Sequence, residues 1–407
     1  MGKNLIMVGM GDYWKSIAKA TLQTMETESL THLLSTVDIK PREEEEIFPA
    51  EHRIRASDQL LSALLADLKD QDPVVILGHA NDLLTPDAQD LAEHGFSVLV
   101  EKPYAINQEQ LQVLKSVIAE NPTKISLAEY YLTMKAVPLL VAAGKIKRES
   151  FYFAKDGLLK AHEGLPSFAT TPQNLAGKLQ ECVGKPTYIY SDILEGEGNT
   201  GKVSHRGIAL VDITRGGGML QDLGVHALSP LVALEDYIGQ IDPNFYEGKV
   251  KTALCDEYQA WAAHHFGLDE KNIGESYAEL SFATSSGVLI KVAVGKYVLK
   301  QRNQRRIVIV GDEGQAMLDM SRCVLHLSYG DDSFKKVLEA PKLPASKYYS
   351  VIRSGLELLY RKNPFTFDAA SIALKAQEIT LSAVEKASHQ KTRSFYKSES
   401  LPRDIFS

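Results

Sequence analysis

Along the first third of the chain, short continuous apolar runs alternate with longer stretches whose apolar residues recur at helical spacing. Residues 5–8 (Leu-Ile-Met-Val) and 73–77 (Pro-Val-Val-Ile-Leu) predict strands buried on both faces of a parallel sheet. Residues 30–37, 97–100 and 124–128 predict three more strands. Helices are expected between them: over 13–25, over 60–68 with Asp58 as N-cap, from Pro86 to a closing Gly95, and after Asn107, which with Gln110 forms a capping box. Strands alternating with helices in this way mean βαβ units.

The pattern then changes. Residues 132–185 read as helical and loop-rich, and 156–172 carry no clear period. Beyond them, strands are expected at 187–194, 249–261, 276–282, 287–294, 306–310, 316–319 and 324–329. Ser285-Ser286-Gly287 and Gly311-Asp312-Glu313-Gly314 are turn sequences between such runs, which makes the sheet antiparallel. Residues 348–387 are helical, with a break at Asn363-Pro364. The expected fold is an α/β half, a Rossmann-type domain over 1–130, followed by an α+β half with an open, mainly antiparallel sheet over 131–407. The final helices are expected to pack back on the first domain. The run Glu43 to Glu46 reads as a solvated loop.

Composition bounds the partners more than the chemistry. A chain of 407 residues allows two or three domains at about 150 residues each. Lysine and arginine number 45 against 52 aspartates and glutamates, a net charge of −7, which argues against a nucleic-acid partner or a polybasic membrane patch. No apolar run reaches the ~18 residues of a membrane span, and the first residues have no signal-peptide layout. Three scattered cysteines (Cys182, Cys255, Cys323) exclude a disulfide framework or a four-cysteine zinc site. The expectation is a soluble, cytoplasmic protein.

Chemistry enters at a few motifs. Gly9-Met10-Gly11 follows the first strand and precedes a helix, where two glycines allow backbone to approach a pyrophosphate. The sixth position of that turn is Trp14, where close helix–strand packing wants a small residue. Without more, the turn reads equally as nucleotide-binding or structural. Asp38 ends the second strand, where a carboxylate accepts both ribose hydroxyls and repels a 2′-phosphate. It favours NAD, although Lys40 and Arg42 nearby could pair with the phosphate of NADP. Glu101-Lys102-Pro103 lies at the carboxyl end of a strand, the side on which open parallel sheets bind ligands. Asp222 and His226 sit four apart after a glycine run, on one face of a helix. Taken singly, each has an ordinary alternative: a solvated lysine, a surface pair. Lys296 and Tyr297 face either a pocket or solvent, and His264-His265 reads as a loop feature rather than a metal pair.

Taken in order, the glycine turn at Gly9 and Gly11, Glu101-Lys102-Pro103, and Asp222-Leu223-Gly224-Val225-His226 resemble the Gfo/Idh/MocA oxidoreductases. The resemblance spans nearly the whole chain, including Val183-Gly184-Lys185-Pro186 at the entry to the second sheet. It implies a nicotinamide cofactor, NAD with NADP as the alternative, held at Gly9, Gly11, Asp38, Glu101, Lys102 and Pro103. It implies catalysis by Lys102, Asp222 and His226 on a secondary alcohol or ketone of a sugar, cyclitol or related small molecule. An imidazole exchanges protons near neutral pH and makes His226 the expected base. Lys102 would stabilise alkoxide charge. Asp222 would orient His226 or bind a neighbouring hydroxyl. Tyr130 stands where relatives touch substrate; it either does so or packs. The resemblance also implies a homodimer or homotetramer, and it assigns no metal. Trp14 and the long 145–182 segment, read as a lid or oligomer arm, depart from the pattern. Other functions on the same fold are a non-catalytic dinucleotide-binding regulator, an NAD-dependent glycosidase, and an imine or pigment reductase.

Overall fold

The computed structural model describes residues 3–9, 22, 26, 31–38, 51–56, 58–147, 150–153, 159–161, 176–196, 208–299, 303–329, 335–339, 352, 355, 356, 358, 359, 363–389 and 394–396. The chain forms two compact units, Met1–Tyr130 with Leu343–Asn363, and Tyr131–Lys342 with Pro364–Ser407.

In the first unit six strands run β1 (Lys3–Val8), β2 (Thr31–Asp38), β3 (Glu51–Ile54), β4 (Val74–Leu77), β5 (Ser97–Val100) and β6 (Ile125–Leu127). Their order in the sheet is β3-β2-β1-β4-β5-β6, with every neighbouring pair parallel. β4 and β5 are wholly buried, as their unbroken apolar runs require. β3 was not expected: it is an edge strand of exposed and half-buried residues with no apolar run to announce it. Ile352, Leu356 and Leu359, from the segment that returns to this unit, pack with Leu5, Met7 and Leu99 in its core. The predicted helix over 13–25 falls outside the described residues apart from Leu22, and the Glu43–Glu46 run lies wholly outside them.

Two helix starts differ from expectation. Helix α1 (Asn81–Glu93) begins five residues before Pro86 and carries that proline inside it. Pro86 has no N–H for the Asp82 carbonyl one turn earlier. The side chain of Gln110, from helix α2 (Gln108–Glu120), supplies the donor instead, 3.2 Å from that oxygen. Asn107 does cap α2, accepting the Gln110 N–H at 2.8 Å, while the Gln110 side chain accepts from Ile106 N–H at 3.2 Å. Asp58 does not cap the expected helix: the helical turn Leu61–Leu64 starts after Leu60 without a side-chain bond from its N-cap residue. Asp90 of α1 performs that service, accepting from the Ser62 N–H at 2.9 Å and its hydroxyl at 2.6 Å.

The second unit opens with a π turn (Tyr131–Lys135), helix α3 (Val137–Ala142), a hairpin of β7 (Phe151–Phe153) and β8 (Leu159–Ala161), and α4 (Lys178–Val183). Most of the 156–172 stretch lies outside the described residues. Nine strands form one sheet: β9 (Pro186–Gly196), β10 (Lys249–Cys255), β11 (Tyr277–Ala283), β12 (Leu289–Leu299), β13 (Gln304–Gly311), β14 (Gly314–Asp319), β15 (Val324–Tyr329), β16 (Lys335–Glu339) and β17 (Ser394–Tyr396). The order is β16-β15-β14-β13-β9-β12-β11-β10-β17. All neighbours are antiparallel except β9/β12 and β10/β17. Helices α5 (Met219–Val232) and α7 (Ala369–His389) pack on each other, and α5 lies against β12 and β9.

The strand expected over 249–261 is a strand only to Cys255. Helix α6 (Asp256–Phe266) follows, with Asp256 and Glu257 in its first turn and Gly267 ending it at φ +64°. Acidic groups at a helix start and a left-handed glycine after its end favour helix over continued strand. His264 and His265 therefore belong to the last turn of α6, not to a loop. No described helix is long and apolar enough to cross a membrane.

The Pro86 arrangement is testable. Replacing Gln110 with Ala removes its bonds to the Asp82 carbonyl and the Ile106 N–H and lowers unfolding free energy by about 1–2 kcal/mol in urea titrations. In a Pro86→Ala background, which restores the missing N–H, the same substitution costs visibly less.

Candidate functional site

In a parallel sheet with this strand order, β1 sits where the order reverses, and the crevice beyond the carboxyl ends of β1 and β4 is the place for a ligand. Gly9, directly after β1, holds φ +92°, and its N–H donates to the Val37 carbonyl at 2.8 Å. A Cβ at Gly9 would fall 2.7 Å from His79 Cβ and 2.8 Å from Gly78 O, so the position admits no side chain. Gly11 and Trp14 lie outside the described residues. Asp38 closes β2 with its side chain buried, and its carbonyl accepts the Arg55 N–H at 2.8 Å.

His79, two residues past β4, had no role in the sequence reading. Its Nε2 lies 2.5 Å from Asp87, which is also forked by Arg55 at 2.6 and 2.9 Å. Burial pushes the Asp87 carboxyl up, but the bonds from His79 and Arg55 outweigh it and hold the group below its ordinary range. An ionised Asp87 accepts from Nε2–H and fixes the ring, which leaves Nδ1 as its other polar atom. That Nδ1 is buried and has no hydrogen-bond partner among the described residues.

Glu101, Lys102 and Pro103 leave the carboxyl end of β5, with a cis Lys102–Pro103 peptide. Tyr104 follows, fully buried: its hydroxyl lies 3.2 Å from Glu129 and its carbonyl accepts from Thr85 at 2.7 Å. Burial, with Glu129 and Glu101 adding to it, pushes the Tyr104 hydroxyl well above its usual range, so it stays protonated and donates. Tyr130 packs against the core of this unit.

In the second unit, Asp222 and His226 both lie on α5, every residue of which is buried. The preceding glycines let the chain turn tightly: Gly218 has φ +113°, and a Cβ there would meet the Glu275 carboxylate at 2.8 Å. Glu275 in turn caps the helix, accepting the Leu220 N–H at 2.8 Å, so a negative charge meets the positive helix end. The spacing of Asp222-Leu223-Gly224-Val225-His226 has a physical reading. Asp222 and His226 share a face, while Gly224 points the opposite way, where a Cβ would come 3.0 Å from Thr380 of α7. Glycine there permits the close helix crossing.

The Asp222 carboxylate does not stand alone with His226. Lys296 Nζ of β12 lies 2.6 Å from it, and Glu195 of β9 is 3.7 Å from the same ammonium. Arg305 of β13 bonds Glu195 at 2.8 Å. Lys296, only 1% exposed, is thus neither solvated nor idle. Tyr297 beside it packs in the core at φ +64°, where the β9/β12 register breaks. The His226 ring stacks on Tyr131 of the π turn, centroids 4.6 Å apart. On the other face of β9, Asp192 is wholly buried and bonds Arg306 at 2.9 Å and Gln304 at 2.5 Å. Burial pushes its carboxyl upward.

A scan of the sequence matches no protein-family model and no curated protein. Solved structures do match. An oxidoreductase of Thermotoga maritima aligns with a TM-score of 0.64 and 17% identity over 95% of this chain and 97% of its own. The chain has the fold of that oxidoreductase. Levoglucosan dehydrogenase, solved with NADH and levoglucosan, gives 0.63 and 15% identity over 95% and 98%. Biliverdin reductase of Synechocystis, solved with biliverdin and NADP+, gives 0.62 and 14% over 95% and 99%.

The Asp87 cluster carries a pH signature. Its carboxyl is depressed in the folded state, so its stabilisation is complete above the unfolded value of about 3.9 and fades as pH falls through the lower folded one. Urea unfolding of wild type and Asp87→Asn should therefore differ most above pH 5 and converge in acid.

Proposed function

We propose that the protein is an NAD(P)-dependent oxidoreductase acting on a secondary hydroxyl or ketone of a sugar, cyclitol or related small molecule. The observation that carries this reading is the unanswered His79 Nδ1 beside Gly9, at the reversal point of a parallel sheet. A buried polar nitrogen without a partner costs roughly 1–3 kcal/mol, and a ligand hydroxyl that bonds to it removes that cost. A dinucleotide has such hydroxyls on its riboses and a pyrophosphate suited to the turn at Gly9. These residues fit the group. Gly9, Gly11, Asp38, His79 and the Glu101-Lys102-Pro103 turn would hold it. Bound there, the nicotinamide supplies the hydride-accepting or hydride-donating carbon. The buried Asp38 carboxylate favours NAD, since it would repel a 2′-phosphate.

The chain's own residues then divide the proton chemistry. His226 takes the hydroxyl proton in oxidation and returns it in reduction. Lys102 donates a hydrogen bond to the reacting oxygen and steadies its developing charge. Asp222 receives a hydrogen bond from a neighbouring hydroxyl. A buried ionised pair beside a stacked imidazole weighs against a non-catalytic regulator, which needs no group for proton transfer. Sugar-like substrates are supported by the levoglucosan dehydrogenase among the structural neighbours, and a pigment reductase only by the biliverdin reductase.

Calorimetric titration tests the reading. NADH should bind at least tenfold more tightly than NADPH, and His79→Ala should weaken NADH binding by about 1 kcal/mol, near fivefold. A panel of sugars, sugar phosphates and inositols should then reveal NAD reduction that Lys102→Ala and His226→Ala each lower by about 100-fold or more. Protein that binds neither dinucleotide would overturn the proposal.

A further inference from the structure

The sheet under α5 holds an ionised chain that the motif does not mention. Lys296 reaches Asp222 at 2.6 Å and Glu195 at 3.7 Å, and Arg305 closes on Glu195 at 2.8 Å. Two cations and two anions alternate, and three of the four side chains are 2–8% exposed. Strand alternation explains why they meet. Ser191 of β9 donates to the Ala227 carbonyl of α5, so Glu195, four residues on, faces the helix as well. Val294 pairs with Ile193 on that same face, and Lys296 continues it. The register breaks immediately after, with Tyr297 in the left-handed region and Gly295 admitting no Cβ, 2.6 Å from Val298 Cγ2 and 2.9 Å from Ser276 O. Non-glycine residues rarely hold such a φ without surrounding structure imposing it, and bulges commonly re-aim a side chain.

We propose that Lys296 is a positioning residue, which keeps the Asp222 carboxylate ionised and in one orientation, so that Asp222 serves as a hydrogen-bond acceptor for a substrate hydroxyl and proton acceptance falls to His226. The proposal rests on the oxidoreductase reading and deepens it by assigning Lys296 as the residue that holds Asp222 to its role. A carboxylate held against a buried ammonium is a poor base, because protonating it would strand the lysine charge. The surroundings agree. Around Asp222, α5 itself brings His226, β12 brings Lys296, β9 brings Glu195 with Arg305 of β13 behind it, and the segment before β11 brings Glu275. The π turn adds Lys135, whose ammonium lies at the Cys323 thiol, and α7 presents the uncharged Gln377 and Thr380. Lys296 is in direct contact with the Asp222 carboxylate, 2.6 Å from it.

Carbon-13 NMR of protein labelled at the aspartate carboxyl carbon tests this without cofactor or substrate, the Asp222 signal being assigned by its absence in Asp222→Asn. In wild type, Asp222 should be ionised at neutral pH. In Lys296→Met its midpoint should rise by at least one pH unit, since the buried carboxylate then sits near Glu195 without the ammonium that lies 2.6 Å from it. An unchanged midpoint overturns the proposal. Should Lys296→Met fail to fold, Lys296→Gln is compared alone and with Asp222→Asn on the substrate found in the panel. Lys296→Gln should lower kcat tenfold or more with little change in KM, and should cost nothing further once Asp222 is Asn; an equal loss in both backgrounds overturns the proposal. Failure to bind NADH would remove the oxidoreductase reading while leaving the titration result intact.

Discussion

A helix with no exposed residue has no water to satisfy its polar groups, and the second unit is organised around that constraint. Helix α5 buries Gln221, Asp222, His226 and Ser229 together with its own backbone ends. Each removal of a partner from a buried charge costs about 3 kcal/mol or more, so partners must be brought from elsewhere. Glu275 answers the amino end, Gln377 meets Gln221, Lys296 meets Asp222, and Ser191 reaches a carbonyl on the sheet side. Gly224 lets α7 close over the opposite face. The helix is held in one rotation and one depth, and the two motif side chains inherit that precision.

The first unit solves a related problem with the same means. A carboxylate, Asp87, is ionised inside the protein because two cationic or donating side chains reach it, and it fixes the imidazole of His79 in return. There the ring's other nitrogen is buried without a partner among the described residues, while Asp222 stands against the Lys296 ammonium. The two arrangements fit the two tasks proposed: one site offers a buried polar atom to a ligand, the other steadies a charged group.

Much of this was visible along the chain. Parallel strands buried on both faces announce themselves as unbroken apolar runs, and a motif on one helix face announces itself by spacing, so β1, β4, β5, Glu101-Lys102-Pro103 and Asp222-Leu223-Gly224-Val225-His226 were all readable. The edge strand β3 was not, because an edge has no apolar run to show. Pro86 misled because the donor that rescues the helix around it comes from Gln110, on another helix. The charged partners were hidden for the same reason: Lys296 is 74 residues from Asp222, and Glu275 is 55 from Leu220. His79 carried one weak signal, its place just after a buried strand.

By itself, then, the sequence determined the two-part architecture, the strand ends at which Gly9 and Glu101-Lys102-Pro103 stand, and the pair of residues that share a helix face, since all of these follow from local periodicity and turn chemistry. Only the tertiary structure decided which charge stands against which. Asp222 could have served His226, a substrate or solvent, and the choice of Lys296 depends on the register of β12 against β9 and the bulge that follows it. Long-range pairing of buried ions is set by the fold's geometry, because a carboxylate inside a protein must find its cation wherever in the chain the sheet happens to place one.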